Sequence, residues 1–177
     1  MQKLSQPIDK QRDMKIATLD YKGTGQTIKY MVELSREGQV SPKIRQYAES
    51  VIREIQPKDY MSEMAALYYD TCRTVRYTRD PIGAEYIQHP ELVLQNRSAD
   101  CDDISLYLNA LLRSVVMSVG NDTAFTTVGF DNSGEYSHVF LTAVEERSKK
   151  RVVLDPVAGP KTKKMLNQVK SYKHHNS

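Results

Sequence analysis

Three side chains in this sequence could carry out nucleophilic chemistry together: Cys101, His138 and Asp155. A thiol attacks a carbonyl when a neighbouring base takes its proton, and an imidazole serves best when a carboxylate holds its ring in one tautomer. The chain presents nucleophile, base and orienter in that order. The difficulty lies in the stretch RSADCDDISLYLNALLRSV, residues 97–115, where the cysteine sits against Asp100, Asp102 and Asp103. Nearby carboxylates oppose a thiolate and push a thiol pKa up. The objection weakens if a helix begins at Cys101. Asp100 is then its N-cap, and Asp103 lies in the first turn, near the positive end of the helix dipole. Cys101 occupies a helix N-terminus, a position that favours a thiolate.

His138 lies in YSHVFLTAV, whose two-residue period groups it with Tyr136, Phe140 and Val144 on what reads as the inward, apolar face. Asp155 closes the next strand pattern, RVVLDP. Hairpin neighbours would bring Asp155 beside His138. Each residue also has a plain structural reading. A free cysteine is often a small core residue, a strand histidine often bonds a backbone carbonyl, and Asp before Pro starts turns. The ordered trio is what favours chemistry. A zinc site built from Cys101, His138, Asp102 and Asp103 is disfavoured, because no pair shows ligand spacing such as C-x-x-C or H-x-x-x-H. No metal or other cofactor is expected.

The elements that must position these residues can be read from the sequence. Ile28, Met31, Val32 and Leu34 make a helical stripe closed near Gly38. SPKIRQYAESVIREIQP opens a second helix with Ser41 as N-cap and Pro42 at the first helical position, ending by Pro57. DYMSEMAALYYDTCRTVRY reads as a third, with Cys72 a small core residue. TRDPIGAEYIQHPELVLQN, with two prolines and a glycine, reads as an ordered irregular loop. The helix starting at Cys101 is apolar around most of its circumference through Ile104, Tyr107, Leu108, Leu111 and Leu112, so it must be buried. The period then changes to two. AFTTVGF, YSHVFLTAV and RVVLDP read as three strands joined by hairpins at DNSGE and EERSKK. A buried helix on an antiparallel sheet is an α+β arrangement.

Composition narrows the function classes. The chain has 177 residues, 40% apolar and 27% charged, which suits one domain with its own core. No apolar run is long enough to span a bilayer, and MQKLSQPIDKQRDMK lacks the apolar region of a secretory signal. Residence in a cytoplasm, or in a particle assembled there, is expected. Two cysteines argue for neither a disulfide framework nor a zinc framework. The net charge of +3 is uneven. Residues 159–177 carry Lys161, Lys163, Lys164, Lys170 and Lys173 and no acid, so the rest is mildly acidic. That segment reads as a solvated basic tail. Nucleic-acid binding would rest on it alone and ranks last.

ADCDDISLYLNALLRSV, YSHVFL and VVLDPV together resemble the transglutaminase-like superfamily of papain-like fold, in its small bacterial and phage-encoded type. GQTIKYMVELSREGQVSPKIRQYAESVI and VRYTRDPIGAEYIQHPELVLQNRSADC resemble the leader of those members. The resemblance covers residues 23–158, leaving 1–22 as an N-terminal arm and 159–177 as the basic tail. Ala99 departs from the glycine usual before the Asp-Cys pair. The resemblance implies an α+β papain-like core and cysteine-dependent acyl transfer on protein or peptide amides. Cys101 would be the nucleophile, His138 the base and Asp155 the orienter. The Cys101 amide would be one oxyanion donor, with Gln95 the other by analogy with papain-like enzymes. Hydrolysis and transfer to an amine both remain open. The contrasting expectation is a non-catalytic structural or assembly component, for example of a phage virion, docking on phage or bacterial partners through the arm and tail.

Overall fold

The computed structural model describes residues 16–19, 24–81, 85–115, 123–133, 135–145 and 147–177. Its centre is helix α5 (Cys101–Val115), in which every residue from Asp102 to Leu112 is buried. A helix apolar on nearly all sides needs neighbours on all sides. Helices α1 (Thr24–Gln39), α2 (Pro42–Ile52), α3 (Tyr60–Thr74) and α4 (Pro90–Asn96) pack against it, and a sheet closes the remaining flank. As the sequence predicts, Ser41 caps α2 by accepting from the Ile44 amide, with Pro42 opening the first turn. The helix stops at Ile52, ahead of Pro57.

Gly38 does not cap α1. It lies within the last turn, where a Cβ would come within 2.6 Å of Pro90 Cγ and 2.9 Å of Ala110 Cβ. Its small size lets α1 approach α4 and α5. Asn109 Nδ2 donates to Ser35 Oγ across the α1–α5 contact at 2.7 Å, so the buried amide has a partner on that side.

The main sheet has the order β7–β6–β5–β8 and is antiparallel throughout: β5 (Thr123–Gly129), β6 (His138–Val144), β7 (Arg151–Leu154) and β8 (Ser171–Asn176). The two expected hairpins join β5 to β6 and β6 to β7. The fourth strand is a correction to the sequence reading. The segment 159–177 is not a solvated tail, because a 3₁₀ turn (Gly159–Lys161) and α6 (Thr162–Leu166) lead into β8, which pairs with β5 along its length. SYKHHN carries no apolar alternation, and its strand state comes from the open edge of β5 rather than from propensity.

A second correction concerns the face of β6. Val139, Leu141 and Ala143, with Phe125 of β5 and Leu154 of β7, join the core under α5. His138 shares the opposite face with Phe140 and Thr142, so it is not on the helix-facing side. Phe140 is itself buried, so both faces of the strand are covered and periodicity alone could not choose between them.

Two small sheets complete the fold. In the segment 78–96, expected as an irregular loop, β3 (Glu85–Gln88) and α4 are regular elements. β3 pairs antiparallel with β1 (Ile16–Leu19), so that part of the expected N-terminal arm is a strand; the remainder of the arm lies outside the described residues. β2 (Arg76–Tyr77) pairs in parallel with β4 (Ser98–Ala99), immediately before Cys101. Among the described residues no helix is long and apolar enough to cross a membrane.

Candidate functional site

Asp155 lies one residue beyond the last pair of the β6–β7 register, Leu141 with Leu154. Continuing that register sets it opposite Phe140, which puts it on the same face as His138 and diagonal to it. The side chains meet there: His138 Nε2 is 2.8 Å from Asp155 Oδ2. Asp155 is fully buried and His138 nearly so. The carboxylate's other oxygen accepts from the Val157 and Ala158 amides at 3.1 and 3.0 Å, and its backbone carbonyl accepts from Tyr68 Oη and the Gly159 amide. The turn DPVAG therefore holds the carboxylate in place. With an ionised carboxylate as acceptor, Nε2 carries the proton of neutral His138, and Nδ1 keeps a lone pair.

Pro156 explains how α5 reaches this strand. The same register would set Pro156 opposite Val139, where a proline has no N–H for the ladder and the strand ends. The backbone of Val139 then serves α5. Its carbonyl accepts from Ser105 Oγ at 3.3 Å, and its N–H helps to hold the Cys101 thiol pKa down. Ser105 Oγ also reaches the Cys101 carbonyl at 2.7 Å. The cysteine is thus fastened to the residue that follows His138. Gln95 is elsewhere, exposed in the last turn of α4, with no hydrogen bond to Cys101, His138 or Asp155.

The aspartates play the expected structural role only in part. Asp100 caps α5, its Oδ1 accepting from the Asp103 amide at 3.3 Å. Asp103 is fully buried and takes both the amide and the side-chain Nε2 of Gln88, each at 2.7 Å. Asp102 is also buried; its Oδ1 lies 3.9 Å from the Cys101 sulfur, and its Oδ2 has no hydrogen-bond partner among the described residues. Burial first raises both carboxyls well above the ordinary carboxylate range; the Asp100 side chain adds to it, by hydrogen bonding and charge at Asp102 and by charge at Asp103. Burial also pushes the Cys101 thiol up; Asp102 and Asp100 add to it, against smaller help from the Val139 and Asp102 amides. The helix start therefore does not cancel the aspartates, and the thiol is protonated at neutral pH. Carboxylate oxygens of Asp100, Asp102 and Asp103 lie within 4.8 Å of one another, and these are the residues that could hold a hard cation.

Sequence reasoning overlooked the Val139 backbone and Gln88. Pro156 was a readable signal for the first, since a proline at a strand end frees its neighbour's ladder groups. Nothing local pointed to Gln88.

No family model matches the sequence, and no curated protein does. Among solved structures, a proposed cysteine protease from Cytophaga hutchinsonii aligns with a TM-score of 0.54 at 14% identity, over 81% of this chain and 47% of that one. The chain spans about half the length of that structure. The likeness is one of fold: an α+β papain-like core with an antiparallel sheet.

Proposed function

We propose that the protein is a cysteine-dependent acyl-transfer enzyme acting on protein or peptide amides, with Cys101 as nucleophile, His138 as base and Asp155 as orienter. The observation that carries this reading is the 2.8 Å contact of His138 Nε2 with a fully buried Asp155, on a strand whose next residue, Val139, is linked to the Cys101 backbone through Ser105 Oγ. A surface ion pair would not require that burial. The thiol is protonated at rest, so His138 takes its proton during attack rather than beforehand. As the S–C bond forms, the proton moves to Nδ1 and the carbonyl electron pair moves to oxygen. Collapse expels the amine, which takes the proton from the imidazolium and leaves a thioester. Water or an amine then attacks the thioester, giving peptidase-like or amidase-like hydrolysis in one case and transglutaminase-type transfer in the other.

The raised thiol pKa favours a second reading, a non-catalytic structural or assembly module on the same fold, for example in a phage virion. Iodoacetamide labelling separates the two, with the modified cysteine identified by mass spectrometry in wild type and His138→Ala across pH 5–9. The enzyme reading expects Cys101 to label faster than Cys72, with the advantage lost in His138→Ala. Equal rates for the two cysteines, or indifference to His138, sink it.

A further inference from the structure

We propose that the Tyr77 hydroxyl is the side-chain donor to the oxyanion formed at Cys101, an assignment that rests on the acyl-transfer reading of the site and replaces Gln95 in that role. Tyr77 sits in β2, directly opposite Ala99 of β4. Hydrogen bonds on both sides hold its backbone: Arg76 N to the Arg97 carbonyl at 2.9 Å, and Thr78 N to the Ala99 carbonyl at 2.8 Å. Thr78 Oγ1 and Ser98 Oγ lie 2.7 Å apart across the same pair. Only Asp100 separates this bonded pair from Cys101, so Tyr77 is placed on a rigid element relative to the nucleophile. Arg97 secures the partner strand, stacking 4.5 Å over the Tyr47 ring and donating to Tyr47 Oη and Thr74 Oγ1.

The side chain suits the task. Tyr77 is 42% exposed, one of the few large rings left at the surface, so a substrate carbonyl can reach it. Its ring is carried by the strand paired with Ala99, two residues before the nucleophile. Partial burial is the first cause that raises its pKa and the Cys101 charge the second, with Arg79 donating to the phenol oxygen in opposition. The phenol therefore keeps its proton at neutral pH. Among the described residues no acceptor takes that proton. The second donor is the Cys101 amide, which opens α5 and has no partner within the helix. Gln95 is exposed in the last turn of α4 and makes no hydrogen bond to Cys101.

The assignment separates two reactions of one thiol. Acylation by 4-nitrophenyl acetate forms an S–C bond and an oxyanion, then expels 4-nitrophenolate to leave the acetyl thioester. Alkylation by iodoacetamide displaces iodide and forms no oxyanion. Both rates are measured at Cys101 by mass spectrometry in wild type, Tyr77→Phe, Gln95→Ala and His138→Ala. Tyr77→Phe keeps the ring and loses only the hydroxyl. Its acylation is expected to fall by about 10²-fold while alkylation stays within about two-fold of wild type. Unchanged acylation in Tyr77→Phe, or a loss seen in Gln95→Ala instead, overturns the assignment. A parallel fall of both reactions in Tyr77→Phe also overturns it, because the hydroxyl would then be acting on thiol ionisation. Failure of the underlying reading looks different: His138→Ala leaves both reactions unchanged, and the assignment falls with it.

Discussion

Replacing Asp155 separates its two jobs. The carboxylate accepts from His138 Nε2 through one oxygen and from the Val157 and Ala158 amides through the other. Asp155→Ala removes both acceptor oxygens and with them all three hydrogen bonds. Two backbone N–H groups lose their partner at about 1–3 kcal/mol each, with the low end applying because both residues are only partly buried. The expected loss of stability is about 2–4 kcal/mol. Asp155→Asn keeps the oxygen that holds the turn and should cost no more than about 1 kcal/mol. Its amide nitrogen, however, would face the Nε2–H, donor against donor. The ring must then move its proton to Nδ1 and accept at Nε2, which removes the lone pair that the acyl-transfer reading assigns to the thiol proton. Acylation of Cys101 by 4-nitrophenyl acetate at pH 7 should drop by about 10²-fold or more, in the range of a lost general base. Urea unfolding with an unchanged slope supplies the stability half of the test. Two results refute the reasoning: wild-type acylation in a folded Asp155→Asn, or a stability loss in Asp155→Asn equal to that in Asp155→Ala.

Asp102 and Asp103 keep their protons in the fold at pH values where the unfolded chain releases them. Their stabilising effect is complete below the unfolded value, about pH 4, and is lost as pH rises through the higher folded value. Asp102→Asn should flatten that decline, read as the difference in urea stability from wild type between pH 4 and pH 8, and should lower the Cys101 pKa in a pH-dependent alkylation series. A steeper decline, or an unmoved thiol, counts against the carboxylate as a cause. Gly38→Ala should destabilise by about 1–3 kcal/mol through overpacking against Pro90 and Ala110, despite the better helix propensity of alanine; a rise in melting temperature would contradict the close approach. Arg113 Nε donates to Gln39 Oε1 at 2.8 Å, and its guanidinium also bonds Thr123 and Ser177, tying α5 to α1 and to the end of β8. Arg113→Ala should cost about 1.5–3 kcal/mol and speed amide exchange in β8 ahead of β6, and equal exchange in both strands would argue against that tie.

The start of α5 and the two hairpins were legible because their signals are local: an Asp cap before an apolar stripe, and polar turns between alternating runs. Those signals sufficed to bring His138 and Asp155 into one neighbourhood. The face of His138 was not legible, since period two groups residues without saying which group meets the helix, and both sides of β6 are covered. β8 was invisible for a related reason. Its residues are polar, and only the unpaired edge of β5 makes them a strand. The segment around α4 did carry a readable signal in HPEL, where His89 caps the helix through Nδ1 and Pro90 opens it, but the flanking prolines and glycine suggested a loop. The protonated thiol depends on burial, which sequence neighbours do not report.

The proline that ends β7 also makes this sheet self-checking. Sliding β7 by two residues along β6 keeps every side chain on its own face, so the hydrophobic pattern resists such an error weakly. A slip that sets Ala158 opposite Val139 would carry Asp155 opposite Thr142, away from His138, and would put an N–H where Pro156 has none, competing for the Val139 backbone. A chain with this mistake would still be compact and well buried, yet His138 would lack the carboxylate that the acyl-transfer reading gives it as orienter. Under the acyl-transfer reading, reactivity at Cys101 would report on strand alignment, and a misaligned population would be chemically silent rather than promiscuous.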